Sequence, residues 1–260
     1  MYSGERILPR QIFNVTYQQS LKAYEFVEGL AAGKRVLDVA CGEGYGLSLL
    51  AKRASSAVGV DYDEATIKEA NVRYGSAKIS FLIGNLFDLP VPLAGKKFDV
   101  VCCFQTIEHV QDHDAFLEAL KAVTAPGGMV IVSTPNTEMF HSFNPYHVHE
   151  VAVPEFRALC MRHFLHFEVL GVFGDEAVLS YRRGKQKVSD LILKFDVLQA
   201  RTWLPSGLLR GLYAFISFFI IKRVSLWRHY EEVTKLTTQN FELRGDNLKQ
   251  ALDFIAVGHV

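Results

Sequence analysis

From residue 35 onward the chain alternates short apolar runs with segments whose apolar residues recur every three or four positions. The runs lie at 35–39, 56–60, 79–83, 98–103, 129–133, 166–173 and 252–257. Short runs rich in Val, Ile and Phe predict strands. The stretches near 45–53, 64–73, 113–123 and 153–162 carry helical spacing. Strands alternating with helices predict a parallel sheet covered by helices on both faces. Residues 1–34 are polar, carry scattered aromatics and read as a helical N-terminal cap.

The first run ends in an acid and a glycine-rich turn, Val36-Leu37-Asp38-Val39-Ala40-Cys41-Gly42-Glu43-Gly44-Tyr45-Gly46. Strand, tight loop and helix open a nucleotide-type α/β fold. Glycine suits that loop because the backbone turns sharply and a ligand must approach without a Cβ in the way. The dinucleotide fingerprint G-x-G-x-x-G, counted from Gly42, fails because position 47 is Leu47. A phosphate loop fails because no Gly-Lys-Ser/Thr follows. The expected ligand is a nucleoside with no pyrophosphate to cradle.

Asp38-x-x-x-Gly42-x-Gly44 resembles motif I of the class I S-adenosylmethionine-dependent methyltransferases, with Ala40 where the first glycine often stands. Four further matches follow in order: Val58-Gly59-Val60-Asp61, Gly84-Asn85-Leu86-Phe87-Asp88-Leu89-Pro90, Phe98-Asp99-Val100-Val101 running into Thr106-Ile107-Glu108-His109-Val110, and Ala125-Pro126-Gly127-Gly128 before Met129–Ser133. The resemblance implies a Rossmann-like, mostly parallel seven-stranded sheet with an antiparallel last strand. That strand would be Ala251–Val257, paired near 166–172, with roughly 70 residues inserted between them. The chain then divides into a cap (1–34), a methyltransferase core (35–183), a basic and apolar helical insertion (184–248) and the last core strand (249–260).

The formal net charge is zero but unevenly spread. Arg182 to Arg228 holds ten basic and two acidic residues, a net of +8; the remainder holds 18 basic and 26 acidic, a net of −8. Such asymmetry predicts an anionic partner. Gly211–Ile221 is an uncharged aromatic and aliphatic run, with Arg201, Trp203 and Arg210 before it and Lys222, Arg223, Trp227 and Arg228 after it. Eleven residues cannot span a bilayer, which needs about 20. Peripheral membrane contact through 201–228 and a protein face, as in a homodimer, both fit. The basic residues sit among Phe, Ile and Leu, and no Asn-Pro-Pro-Tyr-like motif follows the fourth strand, so a nucleic-acid substrate is not expected. Four cysteines at 41, 102, 103 and 160 read as reduced thiols of a cytoplasmic protein, and the N-terminus lacks a secretory signal pattern.

The resemblance assigns the cofactor, S-adenosyl-L-methionine (product S-adenosyl-L-homocysteine), to named residues. Gly42 and Gly44 would face its methionine part, Asp38 its ammonium and Asp61 the ribose hydroxyls, since a carboxylate accepts two hydrogen bonds from a cis-diol. Asn85 would meet adenine and Gln105 would lie near the sulfonium; Ala40, Tyr62 and Leu86 complete the expected contacts. Transfer to a hydroxyl calls for a base within hydrogen-bond reach. The candidates are His109, after the fourth strand, and His147, in Asn144-Pro145-Tyr146-His147-Val148-His149-Glu150. Glu108, Asn144, Tyr146, His149 and Arg6 are the candidate acceptor contacts. His-x-His-Glu is also a metal-ligand pattern, but no second carboxylate stands at an obvious spacing, so no metal is assigned.

A narrower resemblance, through Gly4-Glu5-Arg6-Ile7-Leu8-Pro9, Ser133-Thr134-Pro135-Asn136 and Asn144–Glu150, is to methyltransferases of bacterial surface-polysaccharide biosynthesis. It implies O-methylation of a saccharide or lipid-linked glycan. Two rivals stand: a membrane-associated quinone-precursor methyltransferase, and an inactive cofactor-binding scaffold.

Overall fold

The computed structural model describes residues 14–136, 138–140, 147–195 and 233–260. Arg6, Asn144, Tyr146 and the stretch 201–228 lie outside them. Among the described residues, no helix is long and apolar enough to cross a membrane.

After helix α1 (Asn14–Leu30) the order is β1 (Arg35–Val39), α2 (Tyr45–Leu50), β2 (Ser56–Asp61), α3 (Glu64–Tyr74), β3 (Ile79–Ile83), β4 (Phe98–Phe104), α4 (His113–Ala122), β5 (Thr124–Pro135), α5 (Val153–His163), β6 (Phe167–Gly174), α6 (Glu176–Phe195), β7 (Phe241–Arg244) and β8 (Asp253–His259). The strands form one sheet in the order β3-β2-β1-β4-β5-β8-β6-β7. β3, β2, β1, β4 and β5 pair in parallel. β8 runs antiparallel between β5 and β6, and β7 pairs antiparallel with β6.

Among the described residues the expected seven strands are eight. The addition is β7, four residues that close the edge beside β6, so the segment read as helical through 248 returns to the sheet at Phe241. Its Phe-Glu-Leu-Arg is too short to announce a strand; pairing with β6 makes it one. Position 184, where the sequence was divided, falls inside α6. Ala125–Gly128, expected before the fifth strand, lie within it as an irregularity: Phe98 pairs Thr124, but Val100 pairs Met129.

Side chains alternate between two cores. Leu37, Val101, Cys103 and Phe254 point toward α4 and α5; Val36, Val100, Cys102, Ile131 and Ile255 point toward α1, α2 and α6. That period-two alternation, buried on both faces, is why these strands read as continuous apolar runs. All four cysteines are buried and unpaired. The chain turns from β1 outward to β3, then resumes at β4 on β1's other side, so a crevice opens at the carboxyl ends of β1 and β4.

Candidate functional site

The loop at the end of β1 uses three left-handed residues in five: Ala40 (φ 58°), Gly42 (φ 51°) and Gly44 (φ 79°). Ala40 pays a steric cost there that glycine avoids. A Cβ built on Gly42 would meet no atom within 4 Å and would project into the space above the loop. The bare backbone at Gly42 thus leaves room for a ligand to lie against it.

Asp61 closes the loop from the next strand. One carboxylate oxygen accepts from the Gly42 N–H at 3.0 Å, the other from the Asp63 N–H at 3.0 Å. Each oxygen retains a lone pair for a diol. Capping falls to the neighbouring acid, as Asp63 accepts from Thr66 N–H at the start of α3. Tyr62 is 77% exposed beside Asp61, and Phe87 is 54% exposed on the short 3₁₀ turn after β3. An exposed aromatic ring offers a face on which a base can stack. Phe87 was not selected from sequence; an exposed aromatic on a turn was its only signal. Asn85 caps that turn, its side-chain oxygen accepting from Phe87 N–H at 2.9 Å, and Leu86 packs on the core.

Asp38 is fully buried beneath the loop. Its carboxyl accepts from the Tyr24 hydroxyl at 3.0 Å and the Cys102 thiol at 3.5 Å. Burial pushes its pKa up to about 7, against the pull of those two hydrogen bonds. Asp38 therefore anchors the loop from below. Tyr24, on α1, was not foreseen, because nothing local pairs it with an acid 14 residues away.

Gln105 stands at the end of β4 with φ 50°. Its backbone N–H donates to Ser133 O and its side-chain amide to Ser133 Oγ, which tie it to β5. The next turn, Ile107–His109, presents the second half of the site. Glu108 is 1% exposed, so it is a buried group beneath the acceptor face, not an exposed contact. Its side chain accepts from the Thr134 hydroxyl at 3.3 Å. Burial, with Asp253 and Glu150 adding like charge, raises its pKa to about 8, so it is mostly neutral at pH 7.

The Glu108 carbonyl accepts from the Val148 and His149 N–H groups at 2.8 and 3.3 Å, which draws the 147–150 stretch onto this turn. His109 and His147 meet edge to face, ring centres 5.0 Å apart. One ligating atom each from Glu108, His109 and His147 falls within a 4.8 Å group. His147 Nδ1 pairs with Glu150. Burial holds the His147 pKa below its ordinary value despite Glu150, so His147 is neutral at pH 7 and able to take a proton. His149 does not join this pair. Its ring packs on His113 and its Nε2 lies 2.8 Å from Glu155.

A family model described as a methyltransferase domain matches residues 30–170. A probable S-adenosylmethionine-dependent methyltransferase of Mycolicibacterium smegmatis is 37% identical over 178 residues, which cover 66% of this chain and 68% of that protein. A ubiquinone biosynthesis O-methyltransferase of Bordetella avium is 32% identical over 117 residues, covering 43% of this chain and 48% of the other. The crystal structure of a SAM-dependent methyltransferase from Thermotoga maritima superposes with a TM-score of 0.56 at 14% identity, covering 94% of this chain and 90% of that one; it shows the same fold.

Proposed function

Since the chain belongs to the S-adenosylmethionine-dependent methyltransferases, we propose that it methylates a hydroxyl group, with His147 as the base. When bound, the cofactor supplies an electrophilic methyl group on a sulfonium. Gly42, Gly44 and Asp61 would hold it across the ends of β1 and β2, with Tyr62 and Phe87 flanking the base. The chain's task on the other side is to orient an acceptor O–H and take its proton. His147 Nε2 would take the acceptor's proton as its oxygen accepts the methyl group the bound cofactor supplies. Glu150 fixes the tautomer by holding Nδ1, while neutral Glu108 avoids placing a second negative charge beside the developing oxyanion.

The observation that carries the reading is His147, held at Nδ1 by Glu150 and set edge to face against His109 after β4 and β5. The test is a methylation assay with His147→Gln. The loss expected is about 10²- to 10⁴-fold in kcat, with the acid limb of the pH profile removed. An unchanged limb would reject His147 as the base.

For the acceptor we favour a polyhydroxylated one, a saccharide or lipid-linked glycan, because histidines and carboxylates crowd this face. The name of the Bordetella relative raises the rival, a quinone precursor. Product mass spectrometry with nucleotide sugars and catechols side by side separates them. The basic 201–228 stretch would hold the enzyme near an anionic leaflet. Flotation with anionic liposomes should weaken when Arg201, Arg210, Lys222, Arg223 and Arg228 become Gln; equal flotation removes this part.

A further inference from the structure

A second histidine–carboxylate group lies beside the first and is used by nothing above. It gathers one residue from each of three elements: His113 at the start of α4, His149 in the 147–150 stretch, and Glu155 in the first turn of α5. Their ligating atoms all lie within 4.8 Å of one another. His149 Nε2 and Glu155 Oε1 are 2.8 Å apart, and the His113 and His149 rings meet edge to face at 4.9 Å.

His113 supplies the decisive detail. Its Nε2 is buried and, among the described residues, has no hydrogen-bond partner. The His113 ring belongs to the same group as the His149 imidazole and the Glu155 carboxylate. A buried ring nitrogen with no partner is otherwise destabilising.

We propose that His113, His149 and Glu155 bind one divalent transition-metal ion of zinc type. Two imidazoles and a carboxylate disfavour Mg²⁺ and Ca²⁺, which take oxygen ligands. Ligands about 2.1 Å from a tetrahedral ion stand about 3.4 Å apart, so from within 4.8 Å His113 needs to close by at most about 1.4 Å, and the His149–Glu155 pair, at 2.8 Å, opens slightly. The half-exposed His149 and Glu155 leave the fourth position to water. The ion would pin the stretch that carries His147 to α4 and α5 without touching His147. The site stands whichever acceptor the enzyme methylates.

The test uses the full chain, stripped with EDTA and titrated with Zn²⁺ by calorimetry and with Co²⁺ by visible absorption. One equivalent should bind, with the d–d bands of a low-coordinate site, and raise the melting temperature. His149→Gln and Glu155→Gln, both at half-exposed positions, should keep the metal-free melting temperature yet lose at least tenfold in affinity. His147→Gln should bind as the parent does. No binding by the parent overturns the proposal. So does undiminished binding by the two Gln variants, or loss confined to His147→Gln, which would place the ion on Glu108, His109 and His147.

Discussion

Replacing Glu108 with Gln separates a buried acid kept neutral from one that ionises. Glu108 has a folded-state pKa of about 8, against an ordinary 4.5. A raised carboxyl pKa means that the fold holds its proton after the unfolded chain has released it. The stability involved is fully present below pH 4.5 and is lost as pH rises, until it levels off above 8. Between those limits the slope is about 1.36 kcal/mol per pH unit. The loss is under about 1 kcal/mol at pH 5, about 2 at pH 6 and about 4 at pH 8. Gln has the same size, no proton to lose, and an oxygen that can still accept from Thr134. The variant should match the parent at pH 5 and exceed it by several kcal/mol at pH 8. Asp38 and Asp253 also titrate with raised pKa values, at about 7 and about 6, but do so in both proteins and largely cancel. The assay is urea unfolding followed by circular dichroism at pH 5, 6, 7 and 8. A difference that stays flat with pH would show that Glu108 is not held protonated. His147 would then no longer stand alone as the base.

Asp61→Ala removes the acceptor for two loop N–H groups and the expected diol ligand; affinity for S-adenosyl-L-homocysteine should fall roughly a hundredfold by calorimetry, and unchanged affinity would refute the role. Gly46→Ala puts a Cβ 2.0 Å from the buried ring of Tyr24, itself wedged against Tyr45 and Phe104. Thermal unfolding should show a loss of about 3 kcal/mol, and a neutral result would mean that α1 can shift. Ala40→Gly relieves left-handed strain of about 1–2 kcal/mol and gives back about 0.5–1 in unfolded-chain entropy. A small net gain in the urea midpoint is expected, and a clear loss would refute the strain.

The fold was legible because its strands are buried on both faces, which writes unbroken apolar runs into the chain. The turn after β1 was legible for a related reason: a left-handed backbone favours small residues, here Ala40, Gly42 and Gly44. The cap that Asp63 gives α3 acts over three residues, so it is written in local order. What sequence could not supply is any contact whose partners are far apart along the chain. Tyr24 meets Asp38 because α1 packs on β1; β7 is a strand because β6 offers it an edge. Glu108 looks like an exposed acid until Thr134 and the 147–150 stretch close over it, and burial then turns it into a neutral group. The two histidines of His-x-His separate for the same reason. Two residues apart, His147 and His149 would share one face of an extended segment; a bend at Val148 and the packing around it instead send one to His109 and the other to His113.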